Sequence, residues 1–139
     1  MTVETGAIQT RTRGDGDTID LTPELAELVR ESDIANGIAT VFIGGSTAGI
    51  TTIEYESGVI EDLDEVLETV APRGRDWRHH RRWGDHNGYS HIRSALIGPS
   101  LTVPFVDGEL ALGTWQQVVL IDFDERGRNR TVLVQMLGE

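Results

Sequence analysis

Residues 38–43 read Ile-Ala-Thr-Val-Phe-Ile, a short run that is β-branched or apolar at both odd and even positions. A strand covered by protein on both faces has this pattern, so the segment is expected at the centre of a sheet. Gly44-Gly45-Ser46-Thr47 interrupts the run, and Ile50 to Tyr55 resumes extended character until Glu56-Ser57-Gly58 closes it. Val59, Ile60, Leu63, Val66, Leu67 and Val70 then recur at helical spacing and Pro72 forbids continuation, which predicts an amphipathic helix from about Val59 to Ala71.

Upstream, Val3 to Thr12 alternates loosely and is followed by Gly14-Asp15-Gly16-Asp17 and the run Thr18 to Leu21, which reads as a hairpin. Thr22 before Pro23 supplies a capping hydroxyl and a first-turn proline, and Leu25, Leu28 and Val29 make an apolar stripe, so a helix is predicted over Pro23–Glu31. Downstream, Tyr89-Ser90-His91 opens a short helix in which Ile92, Ala95 and Leu96 are expected to face the core, ended by Gly98 and Pro99. Strands are predicted over Leu101–Pro104, Leu110–Leu112, Gln116–Phe123 and Arg130–Leu137, with turns at 106–109 and 124–127. Strands at both ends around two or three helices point to a single α+β domain over residues 1–139 with a mostly antiparallel sheet.

Composition narrows the function classes. There is no cysteine, which removes disulfides, thiolate nucleophiles and Cys-based zinc sites. All 12 basic residues are arginine against 23 acidic residues, a net charge of −11 that opposes general nucleic-acid binding. The acidity and the missing lysine fit a protein working at high salt, and equally a biased genomic base composition. No apolar run approaches the about 18 residues of a membrane helix and the N-terminus lacks a signal-peptide pattern, so the expected location is the cytoplasm, with no membrane partner.

Pro72 to Gly88 reads as a long irregular loop, rich in Arg, His, Gly and Asp and almost bare of aliphatics. Loops beyond about 12–15 residues in a compact domain are usually functional or disordered. Imidazoles can titrate near neutrality or bind a metal, Arg can clamp phosphate and Asn can orient either, yet no standard metal spacing appears among His79, His80, His86 and His91. For His80 and His86 a solvated surface role is the simpler reading. Gly113-Thr114-Trp115-Gln116-Gln117 offers a glycine, a stacking face and amides at a strand start, or simply a core Trp. Gly44 to Gly49 could cradle an anion but lacks the Gly-Lys-Thr ending of a P-loop. Glu54 and Glu56 point to one side of an extended chain as a candidate acid-base or metal pair. Arg126, Arg128 and Arg130, with Asp124, could hold phosphate or form exposed ion pairs.

Taken together, Gly45-Ser46-Thr47-Ala48-Gly49 with Glu54, Asp62, Ala71-Pro72, His79, Asn87, His91, Gly98 with Ser100, Gly108, Leu112-Gly113-Thr114-Trp115-Gln116, Arg128 and Arg130 resemble the YjbQ-like family. The order and spacing fit from about Ile38 to Gly138, and the first 37 residues match in general character only. The resemblance implies an α+β, YjbQ-like fold assembled as a homotrimer, with clefts near subunit boundaries. It also implies a site built from His79, Asn87, His91 and Trp115-Gln116. The implied activity is that of a secondary thiamine-phosphate synthase, a transferase joining a hydroxymethylpyrimidine diphosphate to a thiazole phosphate with release of pyrophosphate. On that reading His79, His91 and Gln116 are catalytic, and Asn87, Trp115, Thr114, Arg128, Arg130, Ser46 and Thr47 bind substrate. His79, His91 and Glu54 hold Mg²⁺ or another divalent cation. Many relatives carry His-Thr where this chain has Gly45-Ser46, so a three-histidine metal site is not implied. The alternative is a homotrimer that binds a metal or a small phosphorylated ligand without this catalysis.

Overall fold

The computed structural model describes residues 1–139. Twelve elements follow in order: β1 (Thr2–Arg11), β2 (Asp17–Asp20), α1 (Thr22–Glu31), β3 (Gly37–Ile43), β4 (Ala48–Ile53), α2 (Ser57–Val70), α3 (Arg78–Trp83), α4 (Gly88–Ile97), β5 (Ser100–Val106), β6 (Glu109–Leu110), β7 (Gln117–Asp122) and β8 (Asn129–Gly138). Every strand pairing is antiparallel, in a five-stranded sheet of order β1-β8-β3-β5-β6 and a three-stranded sheet of order β2-β7-β4. The chain is thus α+β, as read from the sequence, with four helices rather than two or three.

The two sheets enclose the main core, which takes Ala39, Val41 and Ile43 from β3, Val118 and Leu120 from β7, Val132, Val134 and Met136 from β8, and Leu25 and Val29 from α1. A second cluster, Leu67 with Val119, Ile121 and Phe123, lies on the other side of β7, with Leu63 and Ile97 packed against it. Strand β7 is therefore the one buried on both faces. Strand β3 is central in its sheet, as expected, but only one of its faces is covered: Ile38 and Phe42 are exposed. The two patterns look alike in sequence and differ because nothing in the chain packs over the outer face of the five-stranded sheet.

Four further expectations are corrected. The first two strands are not a hairpin, because β1 pairs with β8 and β2 with β7 in the other sheet. Between them Gly14, Asp15 and Gly16 adopt positive φ, and Gly14 leaves no space for a Cβ against the Arg126 backbone. The 72–88 segment is not wholly irregular, since it contains α3. Helix α4 buries its polar side, with Ser90, Arg93 and Ser94 inside while Ile92 and Leu96 face out. Its hydroxyls explain this: Ser94 Oγ donates to the Ala48 carbonyl at 2.6 Å and Ser90 Oγ donates to the Phe123 carbonyl, which staples α4 across the ends of β4 and β7. Thr22 is inside α1 rather than capping it, and its Oγ1 accepts from the Val118 amide.

Candidate functional site

Strands β4 and β7 run antiparallel, with Ala48 opposite Asp122 at one end and Ile53 opposite Gln117 at the other. The candidate residues separate along this pair. Thr47, Asp122 and Asp124 lie at the first end and the Thr114–Gln117 block and Glu54 at the second, about 16 Å away at roughly 3.3 Å per residue.

At the first end Asp122 is fully buried. Its carboxylate takes both Arg130 Nε and Nη2 at 2.9 Å and the Thr12 hydroxyl at 2.6 Å. Burial pushes the Asp122 carboxyl up, but Arg130, Thr12 and the Asp124 amide outweigh this and hold it below the usual carboxylate range. Asp124 follows the same pattern. Burial opposes its charge, and the Glu125 amide, Arg128, Thr47 and Asn87 lower it further than burial raises it. Arg128 Nη2 pairs with Asp124 Oδ2 at 2.6 Å, while Thr47 Oγ1 donates to the same oxygen at 3.1 Å and accepts from Arg130 Nη2 at 2.9 Å.

The histidines reach the cleft that Asp124 lines by way of Asp85, which lines it too. His79 comes from α3 and His91 from the first turn of α4, and their rings lie 4.5 Å apart. Asp85 Oδ1 is 2.9 Å from His79 Nδ1 without the alignment of a hydrogen bond, and both atoms, with Asn87 Oδ1, are buried polar atoms lacking a partner. Asn87 stands at the start of α4, four positions before His91, and its side chain makes no capping bond, so the two lie on one side of that helix. Asp85, His86, Asn87, Asp124, Glu125, Arg126 and Arg128 line a cleft of about 510 Å³ that has no apolar wall. His80 Nε2 accepts from the Gly88 amide at 3.0 Å, a structural role in turning the chain into α4.

The fold therefore brings together His79, His91, Asn87, Thr47, Arg128 and Arg130. Arg130 is committed to Asp122 and Thr47, and Ser46 is exposed nearby in the β3–β4 connection. Glu54, Thr114, Trp115 and Gln116 are not part of this cluster within the chain. The Trp115 side chain is 73% exposed, and Gln116 Nε2 reaches Thr52 at 3.4 Å while its Oε1 accepts from the Gly113 amide. Glu56 makes no pair with Glu54; it caps α2, accepting from the Gly58 and Val59 amides, and these bonds hold its carboxyl low. No three His, Cys, Asp or Glu side chains converge on one point, so a cation here would draw on Asn87 as well. Sequence reading missed Asp85 and Asp122. Asp122 had a signal, a carboxylate inside the apolar run Val118–Phe123, where a buried charge demands a partner.

The comparisons bear on identity. The family model described as UPF0047 protein YjbQ-like matches residues 6–139. A UPF0047 protein of Methanothermobacter thermautotrophicus is 35% identical over 139 residues, covering 100% of this chain and 95% of its own. The Bacillus subtilis UPF0047 protein YugU is 32% identical over 133 residues, 94% of this chain and 97% of its own. A crystal structure of a YbjQ-like protein of unknown function from Sulfolobus solfataricus superposes with TM-score 0.93 at 30% identity, covering 99% of each chain. The thiamine-phosphate synthase activity implied by resemblance is overturned, because these relatives are named for a family of unknown function and none for that synthase or for a transferase. No helix is long and apolar enough to cross a membrane. Matched along nearly its whole length by family model, relatives and fold, the chain belongs to the YjbQ-like UPF0047 family.

Proposed function

We propose that this protein binds a divalent cation at the His79–His91 pair and, through it, a small phosphorylated ligand in the adjoining cleft. The paired rings carry the reading: His79 and His91 lie 4.5 Å apart, Asp85 Oδ1 is 2.9 Å from His79 Nδ1 and leaves the other ring nitrogen free to ligate, and the buried Asn87 Oδ1 has no partner, which costs energy until a cation or a proton donor meets it. His79 and His91 would supply imidazole nitrogens and Asn87 an amide oxygen, a donor set suited to zinc or manganese. Asp85 beside His79 Nδ1 fits the carboxylate that orients a ligating imidazole and fixes its tautomer. A bound cation would polarise phosphate oxygens. Arg128, held by Asp124, would orient the ligand's anionic group.

Self-association is part of the same proposal. On the outer face of the five-stranded sheet, register aligns Val3, Leu137 and Ile38 in one row and Leu133 with Phe42 in another, all exposed. Such an apolar surface favours a second copy of the chain.

Thermal melting with Zn²⁺, Mn²⁺, Mg²⁺ and inorganic phosphate tests the site. A cation at 100 times its dissociation constant is expected to add about 2.7 kcal/mol of stability. His79→Ala and His91→Ala are expected to abolish that gain while folding normally. A flat response to every cation contradicts the reading.

A further inference from the structure

Of the twelve arginines, seven form ion pairs: Arg13, Arg30, Arg73, Arg81, Arg93, Arg128 and Arg130. The unpaired ones are Arg11, Arg75, Arg78, Arg82 and Arg126. In a chain with 23 carboxylates a guanidinium left without one is unexpected, and four of these five belong to the cleft or to the segment that carries His79. Arg126 lines the cleft. Arg75 stacks on Trp77 with its guanidinium 4.5 Å from the ring, just before α3. Arg78 and Arg82 are exposed on α3 itself.

Helix α3 places two of these arginines in one stripe with His79 and Trp83. Arg82 and Trp83 follow His79 by three and four positions, and Arg82 follows Arg78 by four, so Arg78, His79, Arg82 and Trp83 form one continuous surface. His79 joins that surface to the cleft wall through Asp85. The Trp83 side chain is 71% exposed, an indole presented to solvent among free cations, with no core to fill.

We propose that the ligand of this site is a nucleoside phosphate, its base stacked on Trp83 and its phosphates gripped by Arg78, Arg82 and Arg126. This rests on the reading that the cleft takes a phosphorylated ligand, and adds to it a ring and a second set of contacts. Unpaired guanidinium groups select phosphate oxygens, with two parallel hydrogen bonds available to each. A flat, exposed indole selects a planar base whatever its edge pattern. A cleft of about 510 Å³ lies in the range of small-molecule sites, roughly 300–1,000 Å³. A single nucleotide is favoured over a strand. Screening confines the arginine field to about 8 Å at physiological salt, and a longer polyanion would run out over a surface of net charge −11.

Calorimetric titration of the full chain, with and without Mn²⁺, tests this with ADP, pyrophosphate, adenosine and single-stranded oligothymidylate as probes. ADP is expected to bind about tenfold more tightly than pyrophosphate, the margin contributed by stacking. Trp83→Ala should reduce ADP to the pyrophosphate level. Arg78→Ala with Arg82→Ala should weaken both at least tenfold. These side chains are exposed, and an unchanged melting temperature confirms that each variant folds. Equal binding of ADP and pyrophosphate to the unsubstituted chain, no binding of either, or ADP binding indifferent to these substitutions overturns the proposal, as does tighter binding of the oligothymidylate than of ADP. Mn²⁺ uptake, followed separately by the loss of its free resonance signal, keeps the two readings apart. Uptake without ADP binding overturns the nucleotide assignment alone, and Trp83-dependent ADP binding without uptake overturns the cation centre alone.

Discussion

Replacing Arg93 by alanine is expected to cost about 3–5 kcal/mol of folding stability, the largest loss from any single polar side chain here. Arg93 is fully buried in α4 and meets Asp64 at 3.1 Å, Glu68 at 2.6 Å and the Ala71 carbonyl at 3.1 Å. Arg73 reaches the same two carboxylates from the other side and adds Asp15, so one cluster ties α2, α4 and the β1–β2 connection together. Both guanidinium groups also lie over the Tyr89 ring, at 5.6 and 5.3 Å. Alanine would leave a void, an unpaired Ala71 carbonyl and two carboxylates with half their countercharge. Arg93→Met, which keeps most of the volume, should cost less. Urea unfolding of both variants measures the difference, and a loss below about 1 kcal/mol for alanine would mean that the cluster acts as an ordinary solvated ion-pair network.

The second large effect concerns acid. Asp122→Asn should destabilise the fold by about 3 kcal/mol or more at neutral pH, because Arg130 is left buried with its charge unmatched. The native Asp122, Asp124 and Glu68 carboxyls are held below their usual range; for each, burial pushes upward and hydrogen bonds with arginine charge pull down further. A carboxyl lowered in the folded state contributes stability that is fully present above its unfolded value, about 3.9–4.3. That contribution is lost as pH falls from there through the folded values. Denaturant midpoints should therefore be insensitive to these three groups between pH 7 and about pH 5, then fall steeply below about pH 4. The Asp122→Asn variant should fall less steeply, having one linked proton fewer. An acid limb as steep as that of the unsubstituted chain would show that Asp122 is not one of the linked groups.

Much of the fold was legible because periodicity reports burial directly. Helices α1 and α2 and the strand assignments follow from apolar spacing and from Pro23, Pro72 and Gly98. What the sequence could not separate was a strand the chain covers on both faces from one it covers on a single face. Ile38–Ile43 and Val118–Phe123 carry the same two-sided apolar pattern, yet only the second is covered on both faces within one chain. Helix α4 misled for the opposite reason: its buried face is polar, and Arg93 looked like a surface residue until Asp64 and Glu68 were placed around it.

The site was legible in its residue types and not in its grouping. His79 and His91, twelve positions apart, do meet, because α3 folds back on α4. Trp115 and Gln116 sit at the far end of β7 and Glu54 at the far end of β4, a separation fixed by strand register that no local motif encodes. Asp85 took its role from the turn between α3 and α4, where the left-handed Gly84 redirects the chain.

The most direct measurement is anomalous scattering from crystals equilibrated with Mn²⁺ or Zn²⁺. A cation centre at the histidine pair predicts a peak within about 2.0–2.2 Å of one ring nitrogen each of His79 and His91, with the Asn87 amide oxygen turned toward it. Peaks confined to surface carboxylates, with the two imidazoles left bare at saturating metal, would contradict it.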